Sequence, residues 1–305
     1  MRTGLEISSQ TSARFTPLQR LASVNKGLLL MLPTTVLFLV FFAIPIAQLF
    51  AIAFNKSRLG YIKLQPNFTL QNFVRFFTNS LYTEALFNSL YLGLLAVVIT
   101  LLLGYPVAYT IARTQHPGRN TFYMTLVLVP LQLDMVIRLY GMMTVLGDNG
   151  LINDTLLRWG LISKNLPLMY NRLGIVLALV QFCLPFMILS LVGVIRNINW
   201  SLVEAARSLG ASYWRSFFKI IFPLSLPGVL AGALLVFAIS VSSYIVPVLM
   251  GGWRVVTMAL PIYQQIAGEA RWQFGSAIAV ILFFITLLIV YAYHRITQRY
   301  IGGLV

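Results

Sequence analysis

Six long stretches of this 305-residue chain contain almost no charged residues. A helix needs about 20 predominantly apolar residues to cross roughly 30 Å of hydrocarbon, and each stretch is about that long or longer. Each is continuously apolar rather than alternating, which favours helices over the strands of a membrane barrel. The sequence therefore predicts an all-α integral membrane protein with six transmembrane helices, at 28–54, 88–112, 121–146, 173–195, 226–250 and 276–294.

The composition excludes an ordinary soluble domain. Hydrophobic residues make up 59% of the chain and charged residues only 10%, whereas about 25% of a typical soluble domain is charged. The formal net charge of +15 arises mainly because acids are scarce, with 7 Asp and Glu against 22 Lys and Arg. Nucleic-acid binders gather their cations on one face of a polar domain. We therefore expect no nucleic-acid partner.

The orientation of the spans follows from their number and from the flanking charges. Six spans place both termini and the 196–225 loop on one side, which carries twelve of the 22 basic residues against nine on the other. The positive-inside rule then indicates cytoplasmic termini. The first span exceeds the roughly 7–15 apolar residues of a secretory signal, so it is interpreted as an uncleaved anchor. The domain organisation is a tail at 1–27, a membrane domain at 28–294 and a tail at 295–305.

The common signatures of enzymes are missing from the sequence. No lysine lies in a phosphate-binding loop, and neither histidine belongs to a His-x-x-x-His pair. A Gly-x-Ser-x-Gly elbow is absent as well. Cys183 lies within an apolar span between Phe182 and Leu184, where a small buried hydrophobe is expected. We expect no catalytic residue, no cofactor site and no metal site in this chain.

The 196–225 loop carries the signals of two short helices outside the bilayer. Ser201 and Glu204 have the spacing of a capping box, and Gly210 suits the left-handed residue that ends a helix. Ser212 can cap a second helix that reaches Pro223, where the chain is expected to turn back to the membrane. That second helix would present four aromatic residues, Tyr213, Trp214, Phe217 and Phe218. The alternative is an interfacial hairpin that contacts only lipid headgroups.

The same loop resembles a known family. Glu204-Ala205-Ala206, followed by Gly210, Ile220 and Pro223, resembles the EAA signature of permease subunits of bacterial ATP-binding-cassette (ABC) importers, and it begins 101 residues before the C-terminus. Phe222 stands where leucine is commoner. Three further segments are similar to the spermidine/putrescine-type branch, which also serves related organic cations, opines and phosphonates: 137–141, 149–153 and 247–252.

The resemblance implies a type I ABC importer permease of the bacterial inner membrane, with the 196–225 loop as a cytoplasmic coupling element. It implies an ABC ATPase dimer that binds ATP and Mg, a second permease subunit and a periplasmic substrate-binding protein as partners, besides membrane lipid. Glu204 would cap its helix and meet a basic ATPase residue, Ala205 and Ala206 would allow close approach, and Gly210 would set the bend. The expected docking residues are Glu204, Ala205, Ala206, Arg207, Gly210, Tyr213, Arg215, Ile220 and Pro223.

Polar residues inside the predicted spans are the candidates for the translocation pathway. Asp134 and Arg138 lie four residues apart, so on one continuous helix they would share a face and could form an ion pair. The alternative is that Asp134 faces the pathway and attracts ammonium groups, with Arg138 near the outer mouth. The expected pathway residues are Asp134, Arg138, Tyr140, Ser243 and Tyr244.

Small residues and prolines indicate how the spans pack and bend. Gly104, Ala108 and Ala112, and likewise Gly228 and Gly232, recur every four positions, which predicts close helix contacts. Prolines are predicted to interrupt five of the six spans, at positions 45, 106, 130, 185 and 247.

The sequence therefore predicts a permease subunit of an ATP-driven importer for polyamines or a similar small organic cation. An importer of the same type for an opine or an aminophosphonate is the nearest alternative. A stand-alone ion-coupled carrier is an alternative from a different class, but it should show inverted repeats and several intramembrane acids. No repeat is visible, and Asp134 is the one candidate acid within a predicted span.

Overall fold

The structure is a computed structural model, and it describes residues 30–56, Gly60 and residues 68–301. The predicted tail at 1–27 lies outside the described residues, as does the end of the predicted tail at 295–305. The chain divides into two compact units, one up to Ala51 and one from Ile52 onward. The helix Leu30–Ala53, which contains a π-helical turn at Leu39–Ala43, supplies the described part of the first unit.

Helices account for nearly all the regular structure of the described residues. They are numbered α1 Leu30–Ala53, α2 Gln71–Thr78, α3 Ser80–Arg113, α4 Pro117–Leu128, α5 Met135–Leu146, α6 Leu151–Arg158, α7 Arg172–Ile195, α8 Ser201–Ser208, α9 Tyr213–Ser242, α10 Ala259–Tyr263 and α11 Trp272–Ile301. The predicted all-α membrane fold class is confirmed.

Five of these helices are long and apolar enough to cross a membrane: α1, α3, α7, α9 and α11. Two helices start earlier in the chain than predicted. Helix α3 starts at Ser80 rather than at 88, and α9 starts at Tyr213 rather than at 226. The fifth span also ends earlier than predicted. After Ser242 the chain leaves the helix, and a separate π-helical turn follows at Pro247–Gly251.

The predicted third span is not one continuous helix. After α4 the chain makes a 3₁₀ turn at Val129–Gln132, passes through extended backbone at Leu133, and starts α5 behind Asp134. The two halves meet at a bend of 98°. Pro130 lies in the 3₁₀ turn, and because proline donates no backbone hydrogen bond it weakens the helix at this point. The described residues therefore contain six candidate membrane spans only if this bent pair of helices is counted as one span.

Helix α7 lies at the centre of the unit that begins at Ile52, with α3 and α9 packed against it. A Cβ atom on Gly104 of α3 would lie 3.3 Å from Met187 Cγ, and one on Gly232 of α9 would lie 2.6 Å from Met187 Sδ. A Cβ on Gly228 would lie 3.0 Å from the Ser190 carbonyl oxygen. The predicted close contacts of the small residues are confirmed, and the neighbour in both cases is α7.

Proline does not interrupt every span that contains one. Pro106 lies inside the 34-residue helix α3, and Pro185 lies inside α7. The predicted interruptions at these two positions are wrong, because packing against neighbouring helices holds the chain helical despite a missing hydrogen bond. At Pro130 and Pro247, by contrast, the α-helix does give way to other geometry.

Candidate coupling loop and intramembrane polar residues

The turn between α8 and α9 is closed by a glycine in the left-handed conformation. Gly210 has a φ of +85°, as the sequence predicts. The Gly210 amide donates to the Arg207 carbonyl at 3.0 Å, and the Ala211 amide donates to the Ala206 carbonyl at 3.0 Å. This pair of bonds is the Schellman motif, which satisfies the last carbonyls of a helix and fixes the angle of the exit.

The start of α8 differs from the predicted capping box. Ser201 is already inside the helix, and the Asn199 side-chain oxygen accepts from both the Ser201 amide at 3.1 Å and the Ser201 hydroxyl at 2.8 Å. The predicted capping role of Glu204 is wrong, because Ser201 is not the N-cap residue. Within the described part of the chain, the carboxylate of Glu204 has no hydrogen bond or ion pair, and the residue is exposed.

The second helix of the loop is the beginning of the fifth span. The Ser212 hydroxyl accepts from the Arg215 amide at 3.3 Å and so caps this helix, as predicted. The helix then runs without a break from Tyr213 to Ser242, with one π-helical turn at Phe217–Ile221. The predicted turn back to the membrane at Pro223 is therefore wrong. The π-helical turn ends two residues before Pro223. Proline has no backbone N–H to donate, which is a common cause of such a local widening of a helix.

Most residues predicted to dock the ATPase lie on the outside of the loop. The structure leaves Glu204, Ala205, Arg207, Gly210, Tyr213 and Arg215 exposed and half-buries Ala206, Ile220 and Pro223. Leu209, Trp214 and Phe218 add exposed apolar surface, at 90%, 67% and 60% accessibility. Phe217 was expected among the exposed aromatics, but it is half-buried and faces the bundle. The loop thus presents a mixed surface of apolar side chains and cations, while its docking role stays a prediction.

An aromatic cluster, made of Tyr105, Tyr109, Trp200, Phe217 and Phe222, anchors the loop to α3. The Phe217 ring lies 5.5 Å from Tyr105 and 6.2 Å from Tyr109, and Trp200 lies 6.0 Å from Tyr109. Edge-on aromatic contacts of this kind stabilise a fixed relative position. Sequence reasoning missed this cluster, although the spacing of Tyr105 and Tyr109 by one helical turn was a usable signal.

A hydrogen-bonded clamp fixes the other end of the loop. Asn120 in α4 donates to the Ile111 carbonyl at 3.0 Å and to the Thr114 carbonyl at 3.3 Å, and its side-chain oxygen accepts from Arg196 at 2.7 Å. Arg196 is the residue that follows α7. This one amide therefore joins the ends of α3 and α7 to the start of α4. No sequence motif pointed to it.

Asp134 and Arg138 do not form the predicted ion pair. No oxygen of Asp134 lies within 4.0 Å of the Arg138 guanidinium. Instead the Asp134 carboxylate accepts from the Val136 amide at 2.8 Å and caps α5. The pairing argument assumed a helix continuous through both residues, and the break before Asp134 removes that geometry.

Arg138 is the one charged residue among the buried side chains of the described structure. The residue is 9% exposed, its guanidinium lies 4.6 Å from the centre of the Phe182 ring, and its Nε and Nη1 atoms are buried without a hydrogen-bond partner in the described structure. A cation over an aromatic face gains about 0.5–2 kcal/mol. That recovers only part of the cost of burying an unpaired charge.

The polar end of α9 reaches the same part of α7 as Arg138. The Ser240 hydroxyl lies 3.9 Å from the thiol of Cys183, the neighbour of Phe182. Ser243 Oγ is buried without a partner among the described residues, and the Tyr244 ring lies 4.7 Å from that of Tyr263. Asp134 and Tyr140 lie on the exposed surface of the isolated chain. The structure therefore brings Arg138 towards the end of α9, but no described contact joins Asp134 or Tyr140 to Ser243 or Tyr244.

A second polar cluster, which the sequence did not indicate, lies at the end of α7 opposite to the 196–225 loop. Arg172 donates to the Asn88 side-chain oxygen at 2.9 Å, and Asn88 donates to the Val256 carbonyl at 3.0 Å. The Met258 amide donates to the Ser89 hydroxyl at 2.8 Å. These bonds tie α3 and α7 to the irregular segment before α10. Within the described ranges, no three His, Cys, Asp or Glu residues are grouped as metal ligands.

Comparisons with known proteins agree with this architecture. Residues 120–302 match the family described as "Binding-protein-dependent transport system inner membrane component". The spermidine/putrescine transport system permease protein PotB of Haemophilus influenzae is 35% identical over 74% of this chain and 79% of its own. PotB of Escherichia coli K12 is 34% identical over 80% of this chain and 87% of its own.

A solved structure shares the fold at low sequence identity. It is a chain of a bacterial alginate ABC transporter, crystallised with its alginate pentasaccharide-bound periplasmic protein. The match has a TM-score of 0.77 with 19% identity, and it covers 93% of this chain and 97% of the other. At this identity the likeness concerns the fold alone.

Proposed function

The chain belongs to the family of inner membrane components of binding-protein-dependent transport systems, and we propose that, as the multi-pass permease subunit of an ABC importer, it carries a polyamine or a similar small organic cation. Residues 120–302 and the PotB relatives establish the family. The permease itself is not an enzyme and holds no cofactor, since ATP is bound by a separate ATPase. Family membership excludes the stand-alone ion-coupled carrier.

The observation that carries the polyamine assignment is the similarity to the PotB permeases, at 34–35% identity over 74–80% of this chain. Asp134 supplies a carboxylate that no cation of the described chain neutralises by an ion pair, so it is available to attract an ammonium group. The substrate would arrive bound to a periplasmic binding protein. The proposed partners are that protein, a second permease subunit and a dimer of ABC ATPases.

We further infer that the 196–225 loop and both termini lie in the cytoplasm, where the exposed face of α8 docks the ATPase. The excess of basic residues on this side supports that orientation. The exposed Leu209, Trp214 and Phe218 give the loop an apolar surface that a protein groove would bury. Arg207 and Arg215 flank it with positive charge.

The geometry of α9 indicates how movement of the loop would reach the membrane. Because α9 is one helix from Tyr213 to Ser242, a displacement of its first turn is carried along a rod of about 45 Å. The aromatic cluster carries the same displacement to α3 through Phe217. Both helices pack on α7 through glycines, which allows small sliding movements of closely packed backbones. ATP-driven closure of the ATPases would thus rock the helices that line the pathway.

Uptake measurements test the proposed substrate. Cells lacking this subunit and cells expressing it are given radiolabelled putrescine or spermidine, and ligand binding by the cognate secreted protein is measured in parallel. Uptake that requires both this chain and a polyamine-binding secreted protein is the expected result. Polyamine uptake that is identical with and without the subunit contradicts the proposal.

One observation favours the second candidate, an opine or aminophosphonate importer. The buried guanidinium of Arg138 has no counter-ion in the described chain, and a substrate carboxylate or phosphonate would provide one. Arg138→Met, which keeps a long side chain over Phe182, distinguishes the two substrates. Polyamine uptake should persist in this variant, whereas uptake of an anionic substrate that binds Arg138 should fall by at least tenfold.

A further inference from the structure

A polar cleft and an apolar groove meet between α3 and α4. The cleft has a volume of about 530 Å³ and lies at the turn that joins the two helices. The groove has a volume of about 390 Å³ and lies further along the same two helices. Thr110 and Tyr123 line both of them, so the two spaces adjoin.

The cleft is positively charged. Arg113, Arg119 and His116 line it, and no Asp or Glu is among its lining residues. Arg119 is exposed and has no ion pair or hydrogen bond from its side chain within the described part of the chain. Helix α4 begins at Pro117, between the two lining residues His116 and Arg119. Arg113 donates to the Tyr109 hydroxyl at 3.3 Å, but neither it nor Arg119 has an acidic partner in the described chain. Two arginines without counter-ions, beside the positive end of a helix, favour a bound anion.

The groove, in contrast, is apolar and open to the outside of the chain. Pro106, Val107, Ile111, Leu126 and Val127 form most of its lining. Val107 is 41% exposed and Leu126 57% exposed, and both lie in apolar stretches of their helices. From Arg113 at the cleft to Val107 in the groove, α3 rises about 9 Å, the distance from a headgroup to the first part of an acyl chain.

We propose that this adjoining cleft and groove bind one anionic phospholipid, with its phosphate between Arg113 and Arg119 and one acyl chain along Val107 and Leu126. A free phosphate would fill only the cleft and leave the groove empty. A neutral lipid would fill the groove but leave the cations unpaired. Basic pockets beside membrane helices bind anionic headgroups because the opposite charges attract.

The site is next to the 196–225 loop. The Arg113 guanidinium lies 5.5 Å from the centre of the Trp200 ring, in the residue before α8. Asn120, one residue beyond Arg119, holds Arg196 at the start of the loop. A headgroup bound between Arg113 and Arg119 would therefore lie one residue away from each of these two connections between the loop and the bundle, through Arg113 to Trp200 and through Arg119 to Asn120. The inference does not depend on which solute the importer carries.

Lipid retention by the purified, assembled transporter tests the proposal. The complex is titrated with phosphatidylglycerol and with phosphatidylcholine of the same acyl chains, and the bound lipid is counted by native mass spectrometry. The wild type should prefer phosphatidylglycerol. Arg119→Gln should weaken that preference about fivefold, the ratio expected for the loss of one cation at a membrane surface. Arg119→Lys keeps the charge and should retain most of the preference, which separates loss of charge from misfolding.

Lys164→Gln is the matched control, because Lys164 is an exposed cation in the segment before α7, at the end away from the 196–225 loop. It should not change the preference. Val107→Trp fills the groove and should weaken the retention of both lipids. An unchanged preference in Arg119→Gln overturns the proposal. Inorganic phosphate that competes with phosphatidylglycerol at millimolar concentration, with Val107→Trp having no effect, overturns the assignment to a lipid.

Discussion

The Arg196 side chain donates a 2.7 Å hydrogen bond to the side-chain oxygen of Asn120, 76 residues earlier in the chain. The same Asn120 amide donates to the carbonyls of Ile111 and Thr114. It therefore uses both ends of its side chain to connect the end of α3, the start of α4 and the end of α7. Because Arg196 begins the 196–225 loop, this contact sets where the loop leaves the bundle.

Asn120→Ala should loosen that connection. It leaves two carbonyls and one guanidinium without their partner, which we expect to cost about 1–3 kcal/mol. Thermal unfolding of the purified complex should begin at a lower temperature, and the number of solutes transported per ATP should fall. Asn197→Ala is the control, because the Asn197 side-chain amide, two residues beyond α7, bonds only to the Gly193 carbonyl four residues earlier. An equal effect of the two variants would contradict a linking role for Asn120.

Gly210→Val should disrupt the exit from α8. The φ of +85° is unfavourable for a β-branched residue, at a cost of about 1–2 kcal/mol, although no atom lies within 4 Å of the added Cβ. Membrane insertion should remain normal while co-purification of the ATPase is lost. Gly193→Val in α7 provides the comparison, since it also meets no atom within 4 Å but has an ordinary backbone angle. Normal co-purification and transport by Gly210→Val would sink the docking assignment.

Asp134→Asn isolates the charge of Asp134 from its structural role. Asparagine caps a helix as well as aspartate does, so the bond to the Val136 amide should survive and stability should hardly change. If Asp134 attracts an ammonium group, uptake of a cationic substrate at low concentration should fall about fivefold, as expected for one charge pair in water. Asp134→Ala additionally removes the cap and should lower the unfolding temperature. Unchanged uptake kinetics in Asp134→Asn would remove Asp134 from the pathway.

Gly232→Ala should weaken the packing of α9 on α7. The new Cβ would lie 2.6 Å from Met187 Sδ, and Met187 is fully buried, so the side chain or the helix must shift at a cost of about 1–3 kcal/mol. Gly141→Ala in α5 meets no atom within 4 Å and should be neutral or slightly stabilising. The measurement is thermal unfolding of the two variants in the same detergent. Equal unfolding temperatures would show that the contact is not tight in the folded protein.

Several local features of the loop were predictable because they depend on a few consecutive residues. Gly210 is left-handed and Ser212 caps a helix, as their residue types predict. The start of α8 was predicted wrongly, because the helix already contains Ser201 and its N-cap residue is Trp200. The Ser201 amide donates to the Asn199 side chain, whereas the capping box required it to donate to Glu204.

The pathway residues were harder to predict because their environment is tertiary. Asp134 and Arg138 have the spacing of an ion pair, but the chain bends before Asp134 and the pair does not form. Pro106 and Pro130 both lie in predicted spans, yet Pro106 lies within a continuous helix and Pro130 in a break. Whether a missing hydrogen bond breaks a helix depends on what packs around it.

The sequence by itself determined that this chain crosses a membrane as helices and belongs with importer permeases. Apolar length is a property of consecutive residues, and the EAA signature is a local pattern from Glu204 to Pro223. Only the tertiary structure decided which helix is central, where the third span bends, and how the loop is tied to the bundle. Contacts such as Arg196 with Asn120 and Gly232 with Met187 join residues far apart in the chain. Their geometry is set by the packing of whole helices, which no local pattern encodes.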